Sequence, residues 1–125
     1  YDQVVQFVLK YLTKRIEICH SKGIKDLIVD PGFGFGKTLE HNYELLNKLE
    51  IFGILEKPLL VGLSRKSMIY KVIGKDADSA VFGTTAAHMI ALSKNAKILR
   101  VHDVEAARQA ITVYNQLSVT DNWVK

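Results

Sequence analysis

Apolar residues recur at helical spacing from the start of the chain: Val4, Val5, Val8, Leu9, Leu12, Ile16 and Cys19. This spacing predicts an amphipathic helix over residues 2–22, with Gly23 as its C-terminal cap. The pattern then changes. Leu27-Ile28-Val29 is a short continuous apolar run and predicts a buried strand over 27–30. Helical spacing returns from Glu40 to Leu49, with Tyr43, Leu46 and Leu49 on one face. Pro58 ends the connection, and Leu59-Leu60-Val61-Gly62-Leu63 predicts a second buried strand. A short helix from Met68 to Ile73 is broken by Gly74. A helix over 78–93 follows, rich in Ala80, Gly83, Thr84, Thr85, Ala86, Ala87 and Ala91, small enough to lie close to a sheet. Ile98 to His102 predicts the third strand. Asp103 can cap the last helix, which carries Ala106, Ala110, Val113 and Leu117. Residues 118–125 show no periodicity and are expected to fray.

The order is a helix and then three strand–helix units. Short apolar strands alternating with helices imply an α/β fold: three parallel strands with flanking helices and right-handed crossovers. Each unit spans roughly 35–40 residues, a size common among barrel repeats. Three strands cannot close a barrel, which takes about eight. An open three-stranded sheet would leave two edges bare. The chain is therefore expected to be part of a larger barrel or to bury these surfaces by self-association. The start at Tyr1, with a helix already under way, points to a piece of something longer.

Composition narrows the class. Of 125 residues, 48% are hydrophobic and 24% charged, which suits a folded soluble domain. The net charge of +4 suits a small anionic substrate but is too weak to argue for nucleic acid. No apolar run approaches the roughly 20 residues of a membrane span. Cys19 is the single cysteine, so no internal disulfide is possible and no oxidising compartment is required. It reads as a small core residue.

Parallel strands point their C-terminal ends to one side, so three polar clusters should converge there. The first is Asp30-Pro31-Gly32-Phe33-Gly34-Phe35-Gly36-Lys37, where a strand ends in a carboxylate and opens into a loop with three glycines. The second is Ser64-Arg65-Lys66, and the third Arg100-Val101-His102-Asp103. Strand alternation puts Arg100 and His102 on one face. A carboxylate can accept two hydrogen bonds from a flat, amidine-like edge. Lys66 can donate to a carbonyl or ring nitrogen, and Arg100 and His102 suit phosphate oxygens. Arg65 and Ser64 could hold a second anionic group. Phe33 or Phe35 could be either an aromatic wall or an inward loop anchor. The set predicts a polar heteroaromatic, a phosphate and a second acid as ligand groups.

Other features carry less. Gly36-Lys37-Thr38 would need a glycine at position 31 to make a phosphate-binding loop, and Pro31 stands there. Lys37 then reads as a solvated loop residue. His20, His41 and His88 lack partners at metal-ligand spacing and read as surface or packing residues. Lys10, Lys14 and Arg15 read as a solvated helix face, and Trp123 as incidental to the tail.

Taken together, Asp30–Lys37, Val61-Gly62-Leu63-Ser64-Arg65-Lys66-Ser67 and Arg100–Asp103 resemble dihydropteroate synthase, over about residues 5–117. The resemblance implies the C-terminal part of a (β/α)8 barrel: a partial pterin-binding domain over 1–117, with 118–125 as a tail. It implies condensation of 6-hydroxymethyl-7,8-dihydropterin diphosphate with 4-aminobenzoate, giving dihydropteroate and diphosphate. By resemblance Asp30 pairs with the pterin ring, Lys66 contacts the pterin, and Gly62 is a further substrate-binding position. Arg100 and His102 bind diphosphate, so Arg100, His102 and Lys66 carry the chemistry. Ser64, Arg65 and Phe35 fall in the aminobenzoate pocket, which sulfonamides also occupy. The resemblance further implies Mg²⁺ in the complete enzyme, a cytoplasmic homodimer formed through the last helices, and no nucleic-acid or membrane partner. The family's magnesium-binding asparagine and further pterin contacts are absent from this chain, so the chain alone is expected to be an inactive fragment, with at most a residual diphosphate or pterin affinity. The alternatives are a pterin-binding methyltransferase domain, against which Ser64-Arg65-Lys66-Ser67 speaks, or a non-catalytic dimerising unit, for which the small-residue face at 80–91 could pack closely on a second copy. The whole reading requires Asp30 and Arg100 to meet at one rim.

Overall fold

The computed structural model describes residues 3–121; Tyr1, Asp2 and residues 122–125, with Trp123, lie outside the described residues. Helix α1 spans Val4–Ser21, α2 Leu39–Asn47, α3 Ser67–Ile73, α4 Val81–Ser93 and α5 Val104–Asp121. Strand β1 is Leu60–Val61 and β2 is Ile98–Leu99. Two 3₁₀ segments, Leu49–Leu55 and Ala77–Ser79, lead from α2 towards β1 and from α3 into α4.

The expected α/β organisation with parallel pairing is present. β1 and β2 are parallel, with Leu60 opposite Ile98 and Val61 opposite Leu99. Val29 joins on the other side through a parallel bridge to Leu59. The predicted strands at 27–30, 59–63 and 98–102 are thus much shorter than the sequence suggests. The first shrinks to one bridge, held by Val29 N–H to the Pro58 carbonyl (3.0 Å) and Leu60 N–H to the Val29 carbonyl (2.8 Å). Among the described residues it has a partner on one side only, and Ile28 remains exposed. Past Val61 the chain turns, and Lys66 N–H closes on the Leu63 carbonyl.

The core gathers Val4, Val5 and Val8 of α1, Leu45 and Leu46 of α2, and the sheet residues Val29, Leu59 and Val61. Phe33, Phe52, Leu63 and Met68 join them, with Ala80, Ala87 and Ala91 around α4. Of α1 only Val4, Val5 and Val8 are fully buried, and Cys19 near its end is half-buried. The helix ends as the sequence predicts: Gly23 takes φ +83°, Gly23 N–H reaches His20 O and Ile24 N–H reaches Cys19 O.

Three expectations change. The small residues of α4 serve a helix contact as well as the core. A Cβ at Gly83 would lie 2.9 Å from Ile69 Cγ2 and 3.1 Å from Ile73 Cδ1, so α3 and α4 touch there. Because Ala80, Ala87 and Ala91 are inside, that face is not free for a partner. Finally, residues 118–121 are not a frayed tail, since α5 continues through Asp121. Leu117 and Val119 are exposed, so no apolar stripe marks the last turn, yet an established helix propagates at one bond per residue.

Candidate active site

The glycine loop is built by its own backbone. Gly32, Gly34 and Gly36 all sit at positive φ, between +63° and +91°, where a side chain would be strained. Phe33 between them is fully buried and anchors the loop, whereas Phe35 is 73% exposed and faces the site. The two aromatic roles left open by the sequence are thereby separated. Lys37 is not a free solvated residue. Its Nζ donates to the Gly32 carbonyl (2.6 Å) and Phe35 carbonyl (3.4 Å), which draws the loop closed. Burial lowers its pKa, with Asp30 opposing the shift. Thr38 and His41 form a capping box at the start of α2: Thr38 Oγ1 accepts from His41 N–H (3.1 Å), and His41 Nδ1 accepts from Thr38 N–H (3.3 Å).

The decisive distance is short. Arg100 Nη1 lies 3.2 Å from Asp30 Oδ2, although 70 positions separate them in sequence. Asp30 Oδ1 meanwhile accepts from Gly32 N–H at 2.9 Å. Both carboxylate oxygens are therefore engaged, and a ligand edge competes with the guanidinium at Oδ2 and with Gly32 N–H at Oδ1. Gly62 makes room for that guanidinium: a Cβ there would sit 2.9 Å from Arg100 Cζ.

Lys66 reaches the same rim. Its Nζ donates to the Phe33 carbonyl at 2.7 Å and lies 5.4 Å from the centre of the Phe35 ring. Burial lowers its pKa first and the Arg100 charge lowers it further, with Asp30 opposing. Ser64 is buried, and its Oγ accepts from His102 N–H (3.1 Å) and sits 3.0 Å from His102 Nδ1. If the Ser64 hydroxyl donates to Nδ1, the neutral ring carries its proton on Nε2, the atom left for a ligand. Gly62, Ser64, Lys66, Arg100, Val101 and His102 line one depression of about 210 Å³.

Arg65 departs from expectation. Its fork is filled by Asp103, with Nε to Oδ2 at 3.0 Å and Nη2 to Oδ1 at 2.6 Å, and Asp78 lies 3.6 Å away. The pair raises the Arg65 pKa and lowers that of Asp103. Asp103, read as a helix cap, turns its carboxylate to Arg65, and Arg65 is not free for an anion here. Its backbone takes a left-handed φ of +56°, held by Arg65 N–H to the buried Thr84 Oγ1 (3.1 Å).

Two positions escaped the sequence reading. Asn42 is buried; its Oδ1 accepts from Gly34 N–H (2.8 Å) and its Nδ2 donates to the Thr38 carbonyl (3.0 Å). Thr84 is the other. Both carried a legible signal: Asn42 falls on the stripe with Leu45, Leu46 and Leu49, and Thr84 on that of Ala80, Ala87 and Ala91. A polar residue at a core position implies a partner.

Mg²⁺ does not fit the groups present. It demands oxygen ligands in near-octahedral array. The rim offers one carboxylate, already bonded to Arg100 and Gly32, among cations and N–H donors. Among the described residues no cluster of three acidic, histidine or cysteine side chains could hold a metal.

A parallel sheet whose strand ends gather a carboxylate, an aromatic ring, a lysine, an arginine and a histidine has the donors and acceptors that suit an anionic ligand with a flat polar ring. The comparisons agree with that class. Residues 1–102 match the family described as pterin binding enzyme, and the chain belongs to that family. It is 51% identical over 116 residues to the dihydropteroate synthase of Haemophilus influenzae (strain ATCC 51907 / DSM 11121 / KW20 / Rd), covering 91% of this chain and 42% of that protein. The dihydropteroate synthase of Xanthomonas albilineans, solved in complex with 7,8-dihydropteroate, superposes with a TM-score of 0.91 at 41% identity. That match covers 94% of this chain and 48% of that one. The Yersinia pestis dihydropteroate synthase, solved with a sulfonamide drug, gives 0.92 at 38% identity, over 96% of this chain and 44% of that one. The resemblance read from three motifs therefore stands. The chain spans a little under half the length of these relatives.

Proposed function

We propose that this chain supplies the C-terminal strand ends of a (β/α)8 dihydropteroate synthase. The 3.2 Å contact between Arg100 and Asp30 supports this most directly, because it brings the pterin-type carboxylate and the diphosphate-type cation to one rim. Asp30 takes the amino and N–H edge of the dihydropterin, displacing Arg100. The released guanidinium and the Nε2 of His102 meet the diphosphate. Lys66, whose ammonium has three N–H donors, reaches the pterin while still held by the Phe33 carbonyl, and Gly62 keeps the floor open. As diphosphate departs, the preorganised charge of Arg100 and the Nε2–H donor of His102 stabilise the leaving group. The C–O bond to diphosphate breaks as the dihydropterin ring releases electrons to that carbon, the 4-aminobenzoate amine forms the new C–N bond there, and its proton passes to the released diphosphate. Phe35 and the Ser64-Arg65 turn border the aminobenzoate and sulfonamide pocket, where a carboxylate must compete with Asp103 for Arg65. Mg²⁺ is proposed for the complete enzyme only, with ligands outside this chain.

The methyltransferase alternative is less favoured, since the relatives named above are dihydropteroate synthases. Assembly as a homodimer is proposed through α4 and α5. They enclose a largely apolar groove of about 370 Å³ that includes Val81, Phe82, Met89, Ala110 and Val113. No helix among the described residues is long and apolar enough to cross a membrane. A cytoplasmic setting is proposed, consistent with a lone cysteine.

Calorimetric titration of the chain with inorganic diphosphate and with 7,8-dihydropteroate tests the reading. Both should bind, and Arg100→Ala should abolish the diphosphate heat while Asp30→Asn removes the dihydropteroate heat. Equal binding of both ligands by wild type and variants would sink the assignment.

A further inference from the structure

We propose that Asn42 is a positioning residue for the Lys66 ammonium, acting through the single peptide group between Phe33 and Gly34. The carbonyl of that peptide accepts from Lys66 Nζ at 2.7 Å, and its N–H donates to Asn42 Oδ1 at 2.8 Å. One rigid plane is thus gripped at both ends, and planarity ties the direction of one end to that of the other. The peptide needs such a lock. Gly34 lacks a Cβ and sits at φ +91°, so rotation of this plane meets little steric resistance from residue 34. Phe33 is pinned by its buried ring, but the ring does not fix the direction of its carbonyl.

Asn42 is suited to the task. It is buried on α2, and its second hydrogen bond, Nδ2 to the Thr38 carbonyl at 3.0 Å, fixes the amide orientation and joins the far end of the same loop. The loop, the helix cap and Lys66 are thereby one connected unit. Lys66 otherwise faces Arg100 and Lys37, which repel it, and Asp30, which attracts it, with the Phe35 ring beside it. Rotating the Phe33 carbonyl away would leave the ammonium among two like charges, and it would resettle. The bearing of this on turnover rests on the function proposed above, but the geometry can be read without any substrate.

The test uses the chain with ¹³Cε-labelled lysine, the Lys66 resonance being assigned by its loss in Lys66→Arg. In Asn42→Ala the Lys66 titration midpoint should fall by about half a pH unit or more, because the charged form loses its acceptor. Gly34 amide exchange should rise about fivefold or more. Asn42→Asp keeps an acceptor for Gly34 N–H and should not lower the midpoint. Tyr43→Phe, which removes the Tyr43 hydroxyl bond to the Met68 carbonyl (2.7 Å) on the same helix, should leave Lys66 unmoved. An unshifted Lys66 in Asn42→Ala, or an equal shift in Tyr43→Phe, overturns the proposal. Should Asn42→Ala not fold, wild type decides: a Gly34 amide exchanging at the rate of an unprotected one also overturns it. None of these readings involves diphosphate or pterin, so their failure is distinct from failure of the functional assignment.

Discussion

Arg100 reaches Asp30 only because position 62 has no side chain. A methyl group there would stand 2.9 Å from Cζ and push the guanidinium off its line, yet Gly62 needs no unusual backbone angle, so the fold should survive. Gly62→Ala is therefore expected to weaken diphosphate binding about tenfold, the cost of a charge-assisted hydrogen bond, at unchanged melting temperature. Calorimetry beside thermal unfolding checks both halves. His88 poses the opposite case, a polar group in the wrong solvent. It is 2% exposed, and its Nε2 finds no hydrogen-bond partner among the described residues. Burial holds its pKa below the usual 6.5, with Asp103 opposing. The unfolded state then takes up the proton more readily, so the stability His88 contributes is complete above pH 6.5 and falls as the pH drops towards the folded value. His88→Leu should raise stability by about 1 kcal/mol at pH 7.5 and flatten the loss that wild type shows as the pH falls through a window below 6.5. Urea unfolding at both ends of that window would show it, and a variant as pH-sensitive as wild type would refute it.

Elements were legible where one face repeats and obscure where partners decide. Val4, Val5 and Val8 announced α1, and Gly23 its end. The strands were found in place and order but overlong, because apolar runs such as Leu27-Ile28-Val29 record burial, while pairing depends on a neighbour that Val29 has on one side only. Of the site, Asp30, Lys66, Arg100 and His102 were readable, since each follows an apolar run that must end at the same rim. The Arg65–Asp103 pair was not. Nothing in a chain marks which two of several charges, 38 positions apart, will fork together. The close approach of α3 and α4 was half-read: the small residues were seen, but not that Gly83 abuts Ile69 and Ile73. Gly83→Val adds bulk where 2.9 Å separates a Cβ from Ile69 Cγ2, and should cost about 2 kcal/mol by overpacking. Denaturant midpoints report it directly. An unchanged midpoint would mean that the two helices slide apart freely.

At the scale of the molecule, two of the exposed apolar surfaces bear on assembly. One is the bare side of the sheet and the foot of α1, where Phe7, Tyr11, Ile28 and Phe35 are exposed. There the bridge at Val29 leaves backbone groups able to take a further strand, as a larger barrel would require. The other is the outer face of α4 and α5, where Phe82 is 87% exposed and Val104, Val113 and Leu117 are more than half so. These two surfaces make different demands. A sheet edge needs hydrogen-bonding backbone, which the α4–α5 face cannot give; that face needs only apolar area, which a second copy supplies in kind. The proposed dimer should therefore depend on Phe82 and be indifferent to the sheet edge. Phe82→Glu places a charge at the mouth of the groove and sets it against its symmetry mate in a two-fold contact. Sedimentation across a concentration range should show wild type associating and Phe82→Glu monomeric, while Ile28→Glu leaves the α4–α5 association intact. If Ile28→Glu disperses the complex and Phe82→Glu does not, the copies meet through the open sheet instead, and the outer helices are left without the partner assigned to them.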